Sequence, residues 1–217
     1  MKKPVYYFTI IGLLLCGLMT ACSENVYEEE EFADWEHRNT IFFQQKLAEA
    51  KQAIAEARSV YGEAWEEHCD WRVFRTYAQI PEDAGKPVDS ICVKILERGS
   101  GSGCPIYTDS VRVNYIGRLI PSASYPEGYV FDHSGPSMLP EDVFHPLFSH
   151  PTGMLVSNTV EGFSTALQQM HIGDRWCIYI PYQMGYGASS TTQLPAYSTL
   201  NFEVQLKAYC RAGSSFQ

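Results

Sequence analysis

The sequence is poor in positive charge. Its 217 residues contain 16 Lys and Arg against 25 Asp and Glu, which gives a formal net charge of −9 at pH 7. Non-specific binding to nucleic acid needs clustered Lys and Arg that neutralise phosphates, and so acidic a chain does not supply them. The composition therefore excludes nucleic acid as a partner.

Patterns that hold metals or form redox pairs are also missing. Seven cysteines occur, but none forms a Cys-x-x-Cys pair, so neither a zinc site nor a redox dithiol is indicated. Setting aside Cys16 and Cys22, an odd number of cysteines remains: Cys69, Cys92, Cys104, Cys177 and Cys210. We expect these to be small apolar strand residues. One disulfide among them is possible, and its pairing cannot be deduced from the sequence. Four histidines share no ligand spacing and are expected on loops or the surface: His133, His145, His150 and His171. We expect no metal and no cofactor.

The apolar run near the start, residues 5–18, is too short for a comfortable membrane span. It has the length of a signal-peptide core and follows the basic pair Lys2 and Lys3. The run closes on the string LMTAC, which ends at Cys22 and resembles a bacterial lipobox. We therefore expect residues 1–21 to be a lipoprotein signal peptide and Cys22 to carry acyl chains that anchor the protein to a bilayer. The alternative is an ordinary signal peptide in which Cys22 is incidental.

Residues 22–33 are expected to form an acidic tether, because the stretch SENVYEEEEF is polar and negatively charged. Ser23 stands where inner-membrane retention signals typically have Asp, which favours an outer-membrane destination. The acidic run resembles the surface-export tethers of some Gram-negative lipoproteins, and a plain flexible spacer explains it equally well. The expected location is thus the cell envelope, with the periplasmic or surface face undecided.

Proline and glycine are absent from residues 34–61, where the composition is that of a helix. Asp34 or Asn39 could cap its start and Gly62 its end. Spacings of 4, 3, 4, 3 and 4 place one apolar stripe on it: Phe43, Leu47, Ala50, Ile54, Ala57 and Tyr61. The stripe predicts packing on the body of the same domain. The alternative is a coiled-coil seam that would join two protomers into a homodimer, which fewer than about four heptads support only weakly. A further short element, for which we expect a helix, lies within residues 63–77 and completes a helical segment assigned to residues 34–80.

Residues 160–187 organise the rest of the chain. Apolar residues at i, i+3, i+4 and i+7 predict a helix of about three turns from Phe163 to Met170, and Gly173 supplies the turn after it. Alternation in residues 176–180 predicts a strand that ends at Pro181. Further strands are predicted at residues 91–96, 110–119 and 199–209, with a short one near 154–156. We therefore expect an α+β domain over residues 89–210, in which a curved antiparallel sheet wraps around one short helix.

Five short motifs in order carry a family resemblance. They are V-x-V-x-Y-x-G-x-L at residues 111–119, F-D-x-S at 131–134, the helix block V-x-G-F-x-x-A-L-x-x-M-x-x-G-D-R at 160–175, the pair Tyr-Gly at 186–187, and L-P-x-x-S-T-L-x-F-x-V-x-L at 194–206. The chain from about residue 89 to 209 resembles the FKBP family of peptidyl-prolyl cis/trans isomerases.

The resemblance implies an FKBP-like fold, an aromatic pocket and prolyl isomerase activity. Carried over by motif, the catalytic residues would be Asp132, Tyr186 and Tyr115, and the substrate-binding residues would be Phe131, Val160, Phe163, Leu194 and Phe202. Phe163 stands where the family usually has a Trp that forms the pocket floor. Residues 135–159 are longer than in minimal members, and the pocket aromatic expected there could be Phe144 or Phe148.

Two functions are carried forward from this resemblance. The first is a prolyl isomerase and folding helper for exported proteins, with proline-containing polypeptides as substrates. The alternative is a catalytically weak or inactive FKBP-shaped lipoprotein that binds a protein partner, which the N-terminal helix and the insertion at 135–159 favour because both enlarge the surface. A glycan-binding surface lipoprotein is a third possibility, for which no specific motif is present.

Overall fold

We describe a computed structural model of the chain, which covers residues 31–77, 88–135 and 143–216. The expected signal peptide, the lipidated Cys22 and nearly all of the acidic tether lie outside these residues. The chain divides after Ala33, and the second unit is Asp34–Gln217. The N-terminal helix and the sheet both belong to the second unit.

The second unit starts with three helical elements. A long helix α1 spans Trp35–Tyr61, a 3-10 turn spans Gly62–Ala64, and a short helix α2 spans Trp65–His68. Gly62 closes α1 as predicted, with a φ of 56° and its N–H bonded to the carbonyl of Arg58. Within the described residues, no helix is long and apolar enough to cross a membrane.

The described part contains a seven-stranded sheet, entirely antiparallel. The strands are β1 Trp71–Arg75, β2 Ser90–Glu97, β3 Ser110–Arg118, β4 Val130–His133, β5 Thr152–Leu155, β6 Arg175–Ile180 and β7 Leu200–Cys210. The order across the sheet is β1-β2-β6-β7-β3-β4, and β5 pairs with the other half of the β3 edge. A short helix α3, Glu161–Leu167, connects β5 to β6 through a 3-10 turn at Val156–Asn158, and a further 3-10 turn, Tyr182–Met184, follows β6. The α+β fold expected from the sequence is confirmed.

Helix α3 packs on one face of the sheet, which we call the inner face. Trp176, Ile178 and Ile180 of β6 point to this face and are buried, as the alternation predicted. The approach is close, because a Cβ added at Gly162 would lie 2.3 Å from Cγ2 of Ile180 and 3.1 Å from Cγ2 of Ile91. The inner face therefore joins the helix and the sheet in one core.

Helix α1 packs on the opposite, outer face. Its buried residues Phe43, Ala50 and Ala57 form a cluster with Trp71 of β1 and Cys92 of β2. The apolar stripe is thus covered by the chain's own sheet from Phe43 to Ala57, while Tyr61 at its end is 46% exposed, and the predicted intramolecular packing is confirmed. Phe43, Ala50 and Ala57 are buried in this cluster and cannot also form a seam between protomers, and a homodimer through the exposed part of the helix stays a prediction.

Two element predictions were wrong in part. The segment predicted as helical up to Tyr77 contains strand β1, whose five residues pair with β2 from Trp71 opposite Lys94 to Arg75 opposite Ser90. Helix α3 has two turns rather than three, because tight turns replace it after Leu167, with the N–H of Met170 bonded to the carbonyl of Leu167. Met170 is nevertheless fully buried.

Candidate active site

Four aromatic side chains meet on the inner face, each from a different element. Phe202 of β7 lies at the centre, with ring centroids 4.8 Å from Phe163 of α3, 5.4 Å from Phe131 of β4 and 6.3 Å from Tyr115 of β3. All three contacts are edge-to-face or tilted, which is the arrangement that ring quadrupoles favour. We call this group of four rings the aromatic pocket.

Gly117 of β3 leaves the space in which two of these rings sit. A Cβ at this position would lie 2.6 Å from Cζ of Phe131 and 2.7 Å from Cε1 of Phe202. Carbon atoms in ordinary contact are about 3.5–4.0 Å apart, so any side chain here would displace at least one of the two rings. This glycine belongs to the motif V-x-V-x-Y-x-G, but its place in the pocket was not predicted from the sequence.

The rim of the aromatic pocket carries a phenol and a carboxylate in contact. The hydroxyl of Tyr115 donates to Oδ2 of Asp132 at 2.8 Å. Burial of the phenol, reinforced by this hydrogen bond, raises the pKa of Tyr115 above its usual value, so the hydroxyl keeps its proton and remains a donor. Asp132 itself is exposed, and the hydrogen bond from Tyr115 orients its carboxylate.

Ser134 fixes the strand pair that carries these two residues. Its hydroxyl accepts the N–H of Tyr115 at 2.9 Å, and its own N–H donates to the carbonyl of Tyr115 at 2.9 Å. Ser134 is buried, so these bonds continue the β3–β4 pairing just beyond its last ladder position. Ser134 is the last residue of the motif F-D-x-S, which was the signal for it, but its role was not predicted from the sequence.

The remaining predicted site residues come from three loops. Val160 is the residue that precedes α3, and its carbonyl accepts the N–H of Ser164 at 3.0 Å. Leu194 is buried, and its N–H donates to Oγ1 of Thr191 at 3.1 Å. Tyr186 is 46% exposed and follows the 3-10 turn after β6.

The two candidates for the missing pocket aromatic have different neighbours. The guanidinium of Arg175 lies 4.4 Å from the ring centroid of Phe144, on the outer side of β6 where Arg175 pairs with Glu203. Phe148 is 51% exposed and stacks on His145 at 4.6 Å. Phe144 therefore lies away from the pocket, whereas the described contacts do not test Phe148, whose place in the pocket stays a prediction.

The cysteines and histidines form no second centre in the described residues. All five cysteines that the structure describes are free thiols. No group of three or more His, Cys, Asp or Glu side chains in the same part of the chain is placed to hold a metal ion.

Fold and site together define a class of protein: a sheet wrapped around a short helix, with an aromatic pocket and a carboxylate at its rim. The family model for the FKBP-type peptidyl-prolyl cis-trans isomerase matches residues 104–207. FK506-binding protein 1 of Aspergillus oryzae is 30% identical over 118 residues, which cover 52% of this chain and 92% of that protein. The chain therefore belongs to the FKBP-type peptidyl-prolyl cis-trans isomerase family, as the motifs predicted.

Two longer relatives are also similar. The macrophage infectivity potentiator of Trypanosoma cruzi is 32% identical over 136 residues, covering 62% of this chain and 61% of that protein. Outer membrane protein MIP of Legionella longbeachae is 30% identical over 114 residues, covering 52% of this chain and 41% of that protein. The chain thus spans less than two thirds of the length of either relative.

Proposed function

We propose that this chain catalyses cis/trans isomerisation of X–Pro bonds in polypeptides. The observation that carries the proposal is the Tyr115–Asp132 hydrogen bond at the rim of a pocket whose rings come from β3, β4, β7 and α3. The family to which the chain belongs supports the same activity. The pocket offers an apolar bed beside one oriented carboxylate, which suits a prolyl ring next to its amide.

The reaction makes modest demands on the protein. Amide resonance opposes rotation about the X–Pro bond, with a barrier of about 18–20 kcal/mol. The bond does not break, so catalysis requires a site that binds the twisted amide better than the planar one. A twisted amide separates less charge than a planar amide, and a bed formed by Phe131, Phe163 and Phe202 lowers the local polarity around it.

Polar groups at the rim are assigned to the substrate's amides. In this proposal Asp132, oriented by Tyr115, faces the twisted carbonyl carbon or the imide nitrogen as charge redistributes. The N–H of Val160 and the hydroxyl of Tyr186 donate to substrate carbonyls on either side of the proline. Leu194 closes the pocket from the loop before β7. Each of these roles is carried by an individual side chain or amide and can be removed singly.

We also propose that the protein works at the cell envelope, on exported proteins. The support is the signal-peptide pattern, the lipobox-like string that ends at Cys22 and the acidic residues 22–33. The name of the Legionella longbeachae relative, an outer membrane protein, agrees with this placement. Replacing Cys22 by Ser should release the protein from membrane fractions, and a variant that stays in those fractions would contradict the anchor.

The test is a protease-free isomerisation assay on the full chain, with peptides that vary in the residue before proline. We expect acceleration by the wild type, a loss of at least tenfold in kcat/KM for Asp132→Val, and no change for Asp70→Val. Asp70 is a matched control, because its exposed carboxylate accepts from Arg98 directly before β1, at the edge of the sheet opposite β4. Unchanged activity in Asp132→Val would remove Asp132 from the mechanism. A folded wild type that accelerates no peptide would contradict the proposed activity and point to the protein-binding alternative.

A further inference from the structure

The first turns of helix α1 are bonded to residues 194–199, the loop that carries Leu194 and precedes β7. Asn39 has no solvent exposure, and its Oδ1 accepts the N–H of Thr199 at 2.7 Å. The backbone carbonyl of Asn39 accepts the hydroxyl of Thr199 at 3.1 Å. The Nδ2 of Asn39 donates to the carbonyl of Trp35 at 2.7 Å, which holds the amide in orientation. Residues 39 and 199 are thus joined at two points, 160 positions apart in the chain.

Two further contacts join α1 to the same region. The indole Nε1 of Trp35 donates to the hydroxyl of Ser198 at 2.9 Å, and both side chains are buried. The hydroxyl of Tyr182 donates to the carboxylate of Glu36 at 3.2 Å, and the Tyr182 ring packs edge-on against Tyr197 at 5.3 Å. The start of the helix, from Trp35 to Asn39, is therefore hydrogen-bonded both to residues 198–199 and to Tyr182.

The loop they hold connects two parts of the site. It begins at Leu194, and Tyr197 donates its N–H to the carbonyl of Gly187 at 2.8 Å, which ties the loop to the segment that carries Tyr186. Tyr197 has a φ of 62°, a left-handed conformation that is unfavourable for a bulky residue and persists only where surrounding contacts impose it. Thr199 then leads directly into β7, which carries Phe202 of the aromatic pocket.

Packing alone does not account for Asn39. It lies on the same helix face as the apolar stripe, four residues before Phe43. An apolar residue there would be buried without the free-energy cost of removing a polar group from water. A buried amide is costly unless it is hydrogen-bonded, and here its side-chain bonds fix the position of the loop and of the amide itself. The amide side chain of Asn39 thus serves the hydrogen bond to the backbone of the loop and not the apolar packing of the helix on the sheet.

We propose that Asn39, supported by Trp35, is a positioning residue for substrate binding: it holds residues 194–199 so that Leu194 and Tyr186 face the aromatic pocket. The N-terminal helix is in this view a part of the substrate site as well as a cover for the outer face. The inference rests on the proposed isomerase function.

The test compares Asn39→Ala with Phe43→Leu in the full chain. Phe43 is the matched control because it is buried on the same helix and packs in the cluster with Trp71 and Cys92, and its side chain cannot form a hydrogen bond to the loop. We expect Asn39→Ala to raise KM for a prolyl peptide at least fivefold with kcat changed less than twofold, and amide hydrogen exchange in residues 194–199 to accelerate at least tenfold. Phe43→Leu, measured at a temperature where both variants are folded, should leave KM and exchange in this loop unchanged.

A second pair of variants covers the case in which Asn39→Ala does not fold. Thr199→Val removes the hydroxyl bonded to the carbonyl of Asn39, and Thr199→Ser keeps it. We expect Thr199→Val to raise KM and to accelerate loop exchange, as Asn39→Ala does. Thr199→Ser should leave both at their wild-type values.

The outcomes separate this inference from the proposed function. If the wild type is active and both Asn39→Ala and Thr199→Val have the same KM and the same loop exchange as the wild type, the positioning role is overturned. A wild type that neither binds nor isomerises any prolyl peptide would overturn the proposed function, and this inference with it. Equal effects of Asn39→Ala and Phe43→Leu on KM would also overturn the inference, because they would show a general loss of stability.

Discussion

Replacing Gly117 by Ala should damage the aromatic pocket through a single methyl group. Gly117 lies on β3 opposite Phe202 of β7, and its missing side chain makes room for the rings of Phe131 and Phe202. Its φ is not in the left-handed region, so Ala would not strain the backbone and the effect of the change is steric.

The size of the effect follows from the distances. A Cβ at 2.6–2.7 Å from two ring carbons is about 1 Å inside the normal contact distance, so at least one ring must move. Overpacking of this kind costs about 1–3 kcal/mol of unfolding free energy. For a unit of this size, that loss corresponds to a fall in Tm of about 2–12 °C. The rings that move are Phe131 and Phe202, the latter at the centre of the aromatic pocket, so kcat/KM should fall even at a temperature where the variant is folded.

Gly153 of β5 provides the control. A Cβ there meets no atom within 4 Å, so Gly153→Ala should be neutral or slightly stabilising. The assay is thermal unfolding of both variants followed by kcat/KM for a prolyl peptide at a temperature where both are folded. We expect at least a tenfold loss for Gly117→Ala and less than a twofold change for Gly153→Ala. A Gly117→Ala variant that matches Gly153→Ala in Tm and activity would refute the close packing of the pocket.

Three further predictions concern titratable side chains. Tyr115→Phe should lower kcat/KM about fivefold or more, because Asp132 loses the donor that orients it; an unchanged value with the fold intact would count against the orienting role. Folding stability should fall as pH rises above about 10, since Tyr115 ionises near its usual pKa when unfolded and above it when folded, and Tyr115→Phe should reduce that fall in a pH series of urea unfolding curves. At pH 8, a thiol reagent should label Cys210, which is partly exposed, well before Cys92 or Cys177, because burial raises the pKa of these two thiols to about 12 and about 11; rapid labelling of Cys92 in the folded chain would contradict its burial.

Local periodicity was enough to predict the strands that bury one face, because their apolar and polar residues alternate. The alternation in β6 and β7 predicted which residues are buried, because each strand has one face on the core. Strand β1 was missed because its five residues, Trp71–Arg75, show no clear alternation, and their extended conformation depends on pairing with β2. Secondary structure imposed by a partner strand has no local signature of its own.

The site shows the same division. The motifs placed Tyr115, Phe131, Phe163 and Phe202 in one pocket, and the structure brings these rings together. The bonds between Asn39 and residue 199 could not be predicted in the same way, because a buried amide pairs with a backbone group far along the chain. A signal was present nonetheless, since a polar residue in line with an apolar helical stripe requires a partner when it is buried.

The most direct test of the proposed activity is exchange NMR on an X–Pro peptide with the full chain and with Phe202→Leu. Phe202 contacts the three other rings, so its replacement removes the centre of the pocket while keeping an apolar residue in β7. We predict exchange cross-peaks between the cis and trans peptide signals with the wild type and their loss with folded Phe202→Leu. Cross-peaks of equal strength for both proteins would show that isomerisation takes place elsewhere, and none with the folded wild type would contradict the activity itself.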